Sequence, residues 1–309
     1  MPNGEDEDRG PFIGTRLGLQ GYTQEQESMF TLAGKIALVT GAGGGIGKGV
    51  CLKLAELGAV VVCADVDEKA ASATLEELRR ADSGGASHEH CLFECDVTNR
   101  EQVEAMCASI VAKYSACASL VVHCAGILGQ HALVSDMTDA QWDVVMDVNV
   151  KGTFIVNQVF SNAMVDQKVK GSIVNIASIA GKMGAQTLSH YSASKGAVST
   201  FTKALAKELG PSGVRVNALA PGIIDTAMGK SHPAEVLAAC LAVTPLGRMG
   251  SPAEVANCCA FLCSDAASYV TGVTLEVAGG CRTGIELKSG AARASPLGDA
   301  IRTAKFTRL

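Results

Sequence analysis

Short apolar runs alternate along this chain with longer stretches whose apolar residues recur every three or four positions. Residues 35–40, 59–64, 90–94, 120–123, 172–177, 214–218 and 273–277 have the composition of buried strands. Between them, residues 47–57, 67–80, 99–114, 139–166, 191–209 and 252–263 carry helical periodicity. Strand and helix in regular alternation predict a parallel sheet covered on both faces. No boundary interrupts the pattern from 33 to 283, so the expected fold is α/β, a single doubly wound parallel sheet with helices on both faces. Residues 1–32 are polar and without periodicity, which predicts a flexible N-terminal extension. Residues 284–309 are rich in Ala, Ser, Gly and basic side chains, which predicts a disordered tail.

Composition narrows the function classes. Of 309 residues 48% are hydrophobic, enough for a sizeable core, and 34 are glycine. The net charge of −5 gives no electrostatic reason to expect nucleic acid. No apolar run is long enough to span a bilayer. The acidic run at residues 5–8 is the opposite of a basic secretory start or an Arg-rich presequence, so no cleavable targeting segment is recognisable. Twelve cysteines in such a chain suggest a reducing compartment and free thiols. Cys51, Cys63, Cys107, Cys258, Cys259 and Cys263 lie in apolar surroundings, where a free thiol packs as a small hydrophobe. His88, Glu89, His90, Cys91 and Cys95 gather ligand-type side chains, but their spacing matches no common zinc pattern. We therefore expect no metal.

The candidate chemistry begins at Tyr191 and Lys195, which lie four apart and so share one helix face. A phenol titrates near pH 10, and an adjacent ammonium lowers that value, making the pair a proton-transfer unit. A serine, Ser178, stands thirteen positions before the tyrosine. Far upstream, Thr40-Gly41-Ala42-Gly43-Gly44-Gly45-Ile46-Gly47 follows the first strand and opens the first helix. Glycines there allow a tight turn and let a pyrophosphate reach the helix N-terminus, as in Rossmann-type nucleotide sites. Asp65 ends the second strand, where an acid accepts bonds from ribose hydroxyls and repels a 2′-phosphate. Gly44 offers no basic side chain for that phosphate, so NAD(H) is favoured over NADP(H).

Together these motifs resemble the short-chain dehydrogenase/reductase family across residues 33–283. Further matches are Asp96-Val97 after the third strand, Asn149 within Val148-Asn149-Val150-Lys151-Gly152, and Asn217-Ala218-Leu219-Ala220-Pro221-Gly222. The resemblance implies that Ser178, Tyr191, Lys195 and Asn149 are catalytic, with Asn149 holding a water that links Lys195 to solvent. It further implies that Gly41, Gly45, Ile46, Gly47, Asp65, Asp96, Val97, Ala125, Gly126, Tyr191, Lys195, Pro221, Gly222, Ile223 and Thr226 bind the dinucleotide. One position departs from the pattern. His123-Cys124-Ala125-Gly126 stands where the family usually carries Asn-Asn-Ala-Gly, putting the strand tie made by the first Asn in question.

Within the family the likeness is strongest to 3-oxoacyl-[acyl-carrier-protein] reductases and 17β-hydroxysteroid dehydrogenases. It implies an acyl thioester or steroid as substrate, with sugars or other small alcohols as the alternative. It also implies a homotetramer, or a heterotetramer with a related reductase subunit, in which a mainly structural role is a further alternative. Its mitochondrial matrix location is another implication, with cytoplasm or peroxisome as alternatives. Residues 225–244 are expected to form a lid over the substrate. This segment mixes Met228, Pro233, Val236, Leu237 and Leu241 with Lys230 and His232. Its apolar residues suit an acyl chain or steroid but equally suit core packing, and Lys230 and Arg248 are candidates to attract a phosphate. The C-terminus, residues 306–309, loosely fits either a peroxisomal address or a PDZ ligand.

Overall fold

β1 (Ile36–Thr40) and β4 (Leu120–His123) lie side by side at the centre of a seven-stranded sheet of order β3-β2-β1-β4-β5-β6-β7. Every pair is parallel, and the remaining strands are β2 (Val60–Asp65), β3 (Cys91–Glu94), β5 (Ser172–Ile176), β6 (Arg215–Pro221) and β7 (Thr274–Val277). The chain runs outward from β1 to β3, then returns to β4 and runs the other way. This places a topological switch point between β1 and β4, where open α/β sheets bind ligands at the strands' carboxyl ends. The computed structural model describes residues 29–81 and 89–281. Most of the expected N-terminal extension, His88, the tail at 284–309 and its C-terminal motif lie outside the described residues.

Each face of the sheet has its own core. On one face Val39, Val122 and Val174 pack with Val50 and Leu54 of α1 (Gly45–Glu56), Leu78 of α2 (Glu68–Ala81), and Val255 and Leu262 of a later helix, α10 (Pro252–Cys263). On the other, Leu38, Val121 and Ile173 pack with Val103 and Ile110 of α3 (Arg100–Tyr114). Phe160 and Met164 of α5 (Gly152–Asp166) and Leu205 of α7 (Ser189–Leu209) complete that layer. Side-chain caps at Asn99, Thr138 and Ser251 start α3, α4 (Asp139–Met146) and α10 where the sequence changes from turn to periodic pattern.

Several boundaries differ from the sequence reading. The extension does not run to residue 32, because Leu32 is buried in the first core and its N–H donates to the Leu57 carbonyl at 2.8 Å. The long helix expected over 139–166 is α4 and α5 joined by a π-helical turn, Asp147–Lys151. β6 extends three residues further than expected, through Pro221, which lacks a donor but ends the strand with its carbonyl accepting from Ile179 N–H at 3.1 Å. Among the candidate zinc ligands, His90 Nδ1 accepts from Val61 N–H at 2.9 Å, and Cys91 Sγ lies 3.1 Å from the Tyr114 hydroxyl.

Candidate active site

The turn after β1 is built around its glycines. Gly41 has φ +67°, and a Cβ there would lie 2.8 Å from Ala125 N; a Cβ on Gly47 would lie 1.9 Å from the Gly41 carbonyl. Only glycine fits either place. Gly45 is also left-handed, at φ +54°, and Ile46, at the start of α1, is partly buried against the first core. Gly44, the residue preceding α1, is extended and contributes no side-chain cap. A helix start with uncapped N–H groups, approached without Cβ obstruction, fits a dinucleotide's pyrophosphate.

Three groups flank that cradle. Asp65 Oδ2 accepts from Gly43 N–H at 2.8 Å and Oδ1 from Asp67 N–H at 3.0 Å, so the carboxylate also shapes the turn. Asp96 Oδ1 accepts from both the N–H and the hydroxyl of Thr98 at 2.8 Å, while Val97 is buried where Gly152 leaves room for it. Ala125 N–H donates to Thr40 Oγ1 at 3.2 Å, and the same hydroxyl lies 2.9 Å from His123 Nδ1. The tie between β1 and the loop after β4 therefore persists, with an imidazole at the departing position.

On the other side of the switch point, α7 presents Tyr191, Ser194 and Lys195 from its first two turns. Asn149 lies in the π turn, fully buried, and π turns frequently accompany functional sites. Its amide accepts from Ile127 N–H at 2.8 Å and donates to the Ile127 carbonyl at 2.9 Å and to Ser194 Oγ at 3.0 Å. Gly126 lies against both polar groups: a Cβ there would stand 3.0 Å from Asn149 Oδ1 and 3.1 Å from Lys195 Nζ. Lys195 is buried, donates to the Ile176 carbonyl at 2.8 Å, and has its pKa lowered by burial to about 8. Its ammonium stands 5.8 Å from the centre of the Tyr191 ring.

Ser178 follows β5 and accepts from Ala180 N–H at 3.1 Å, which anchors it at the start of α6 (Ala180–Met183). The expected lowering of the Tyr191 pKa by Lys195 is not what this geometry gives. Burial raises the phenol's pKa, and the opposing influence is its hydrogen bond with Ser178. The reason is positional: Lys195 Nζ is engaged by the Ile176 carbonyl rather than aimed at the phenol oxygen.

Beyond β6 the chain covers the site. Pro221 and Gly222 close against β7, with Gly222 N–H donating to Val277 O at 3.0 Å. Ile223 leads into the lid. Thr226 caps α8 (Ala227–Lys230), its Oγ1 accepting from Gly229 N–H at 3.0 Å. A Cβ on Gly45 would meet Thr226 Cγ2 at 3.2 Å, so the lid begins against the glycine cradle. α9 (Ala234–Ala242) buries none of its residues fully, although Val236, Leu237 and Leu241 are only half exposed. Partial burial of this apolar face is compatible with a cover over a pocket as well as with packing against the body of the protein. Lys230 and Arg248 each pair with a carboxylate at the surface, Asp225 at 2.5 Å and Glu254 at 2.6 Å.

Sequence reasoning passed over Ser194, which fixes Asn149, and over His131, His190 and Thr187 beside the tyrosine. His131 Nδ1 lies 2.8 Å from Thr187 Oγ1, and His190 is fully buried next to Tyr191. Buried polar side chains flanking a motif are a usable signal, but only once the fold shows that they are buried.

Comparison with known proteins agrees with this geometry. A family profile described as Enoyl-(Acyl carrier protein) reductase matches residues 41–282. The chain is 40% identical over 255 residues to (3R)-3-hydroxyacyl-CoA dehydrogenase of Mus musculus, covering 82% of this chain and 98% of the relative. It is 42% identical over 262 residues to Galactitol 2-dehydrogenase (L-tagatose-forming) of Cereibacter sphaeroides, covering 83% and 98%. The solved structure of 3-ketoacyl-(acyl-carrier-protein) reductase from Brucella melitensis complexed with NADH superposes with a TM-score of 0.74 at 30% identity, covering 82% of this chain and all (100%) of that one. The chain belongs to the short-chain dehydrogenase/reductase family and is an oxidoreductase acting on a CH–OH group.

Proposed function

We propose that the protein is an NAD(H)-dependent oxidoreductase that interconverts 3-hydroxyacyl and 3-oxoacyl thioesters. The observation that carries this reading is the convergence of Ser178, Tyr191 and Lys195 beside a glycine cradle at the sheet's switch point. A bound nicotinamide dinucleotide supplies or accepts the hydride. The Tyr191 hydroxyl donates a proton to the substrate oxygen as the alcohol forms, and takes it back in the reverse direction. Ser178 hydrogen-bonds the same oxygen and holds it in place. Lys195 would bind the nicotinamide ribose through its ammonium, while the hydrogen bond from Ser178 counters the rise that burial imposes on the Tyr191 pKa. Asn149, with both amide hydrogens engaged, keeps an Oδ1 lone pair for a water between Lys195 and solvent. Asp65, with Gly44 in place of a basic residue, supports NAD(H) over NADP(H). Asp96 and Val97 would flank the adenine, and Ile223 and Thr226 the carboxamide.

The acyl thioester is supported by the mouse relative and by the half-exposed apolar face of α9, which also suits a steroid. The galactitol dehydrogenase relative supports a second reading, a polyol substrate. We further propose a tetramer, packed through α4–α5, α7 and β7.

The test is NADH oxidation with acetoacetyl-CoA, alongside NAD reduction with galactitol and with estradiol. Turnover of acetoacetyl-CoA is expected, and Tyr191→Phe should lower kcat by roughly 10²- to 10⁴-fold while NADH still binds. Bound NADH without acetoacetyl-CoA turnover would overturn the acyl reading.

A further inference from the structure

We infer that His232, packed against His131, reads a second oxygen carried by the substrate beside its reacting carbon. The inference deepens the proposed function and rests on a substrate lying between Tyr191 and the lid. The lid begins at Thr226 against the glycine cradle and ends in α9, and His232 sits between α8 and α9. Its ring meets that of His131 edge to face, with centroids 5.4 Å apart and planes at 80°. His131 belongs to the opposite wall, the connection from β4 to α4. That wall is bound to the segment leading into Tyr191: His131 Nδ1 pairs with Thr187 Oγ1 at 2.8 Å, and Ala132 N–H donates to Thr187 O at 2.9 Å. The lid, the wall and the tyrosine helix thus meet at two imidazoles.

The surroundings show that this meeting point is held in place. Thr187 has φ +67°, a conformation that a β-branched residue adopts only where the structure around it insists. Behind it, His190 is fully buried, and a Cβ on Gly129 would come within 2.5 Å of its Nε2, so the wall loop rests directly on that ring. Backing of this kind is what a site needs if its hydrogen-bonding groups are to stay where a substrate requires them.

The chemistry of the pair selects its ligand. Burial lowers the pKa of His131 to about 4, with His232 and His190 adding to the effect, and burial also lowers that of His232. Burial therefore favours the neutral form of both rings; His131 already engages Thr187 through Nδ1, and the neutral His232 offers one donor and one acceptor. His232 Nδ1 is buried and meets no hydrogen-bond partner among the described residues. A buried polar atom left in that state costs stability, and a substrate oxygen would satisfy it. The nearest lid cation, Lys230, is held by Asp225, which disfavours an anionic group in this position. Among the described residues no group of three or more His, Cys, Asp or Glu is placed to hold a metal ion. A neutral oxygen fits: the thioester carbonyl of a 3-oxoacyl substrate, or the neighbouring hydroxyl of a polyol. A simple ketone or secondary alcohol has neither.

The experiment compares matched substrates. Wild type, His232→Phe and His232→Gln are assayed with the N-acetylcysteamine thioester of acetoacetate against 2-octanone, and with galactitol against 2-hexanol. Phe keeps the ring contact and volume but removes both nitrogens, while Gln restores hydrogen bonding. His232→Phe should lower the ratio of kcat/KM, oxygen-bearing over bare substrate, by roughly tenfold or more, chiefly through KM, and His232→Gln should recover part of it. Thermal melting of each variant checks that the fold is retained. A ratio that stays constant in His232→Phe overturns the inference, as does a wild type that prefers the bare substrates. Failure of the acyl reading is seen separately, as turnover of galactitol without turnover of the thioester; the galactitol pair then carries the same comparison.

Discussion

His123 occupies the strand end where the family usually carries an amide, and it brings a titratable group into the centre of the sheet. Burial, with a smaller contribution from Lys195, lowers its pKa from 6.5 to about 3. The native ring therefore stays neutral while the unfolded chain takes up a proton below pH 6.5, so this residue's contribution to stability is complete above pH 6.5 and is lost as pH falls towards 3. The expected slope is about 1.4 kcal/mol per pH unit. His123→Asn should remove that slope, and denaturant melts at pH 7 and pH 5 will show whether the variant loses less stability than the wild type on acidification. Asp65 gives a second test at this scale. Asp65→Ser should shift the ratio of NADH to NADPH affinity towards NADPH by removing a carboxylate from the 2′-phosphate position. It should also cost about 1 kcal/mol, since the Gly43 and Asp67 N–H groups lose their acceptor. Fluorescence titration with the two dinucleotides reads the first effect. Individual residues were legible in the sequence where a motif names them, as with Tyr191, Lys195 and Gly41. Where a pKa depends on what the neighbour is doing, the sequence is silent: nothing in the spacing of Tyr191 and Lys195 shows that the ammonium is held by the Ile176 carbonyl.

Elements were predictable where a single periodicity governs them. The strands are apolar runs bounded by turns, and the helices carry an unbroken apolar stripe, so both follow from the pattern. The π turn at Asp147–Lys151 does not, because five residues with one extra position per turn leave too little pattern to separate them from an α-helix. The junction of α6 with α7 is equally invisible, since it depends on two glycines facing each other across a loop. A Cβ on Gly181 would lie 2.5 Å from Gly196 N and from the carbonyl carbon of Lys195. Gly181→Ala should therefore push α6 away from the turn of α7 that carries Lys195. The expected cost is about 1–3 kcal/mol, with a fall in kcat larger than the fall in NADH affinity, because Ser178 is anchored to the start of α6. Thermal melts and steady-state kinetics measure the two effects; a variant as stable and active as the wild type would refute the close packing.

At the scale of the whole molecule, the strand order makes the site. The reversal between β1 and β4 leaves a crevice that the glycine turn enters from one side and Ala125-Gly126 from the other. Alternation and right-handed crossovers predict a doubly wound parallel sheet from the sequence, but the order of the strands in it is seen only in the structure. Nor does the sequence show what the molecule does with its remaining apolar surface. Trp142 and Val144 of α4, Phe154 and Val165 of α5, and Val273 and Leu275 at the edge strand β7 are all exposed in the single chain. Phe154 packs edge-on against Phe201 of α7, so the apolar surface continues from one helix to the next. Exposed apolar surface and an edge strand that the described residues leave open both favour association. If the tetramer we propose uses these helices, a charge at Phe154 should split it. Phe154→Lys places an ammonium beside the Arg100 guanidinium, which now stands 5.8 Å from the ring, so two like charges would enter the contact. Because the site is exposed within the chain, the fold should lose only about 0.5 kcal/mol. Light scattering on a sizing column is the decisive measurement. A wild type of four-chain mass and a variant of two-chain mass support packing through α5 and α7, whereas an unchanged mass removes these helices from the interface.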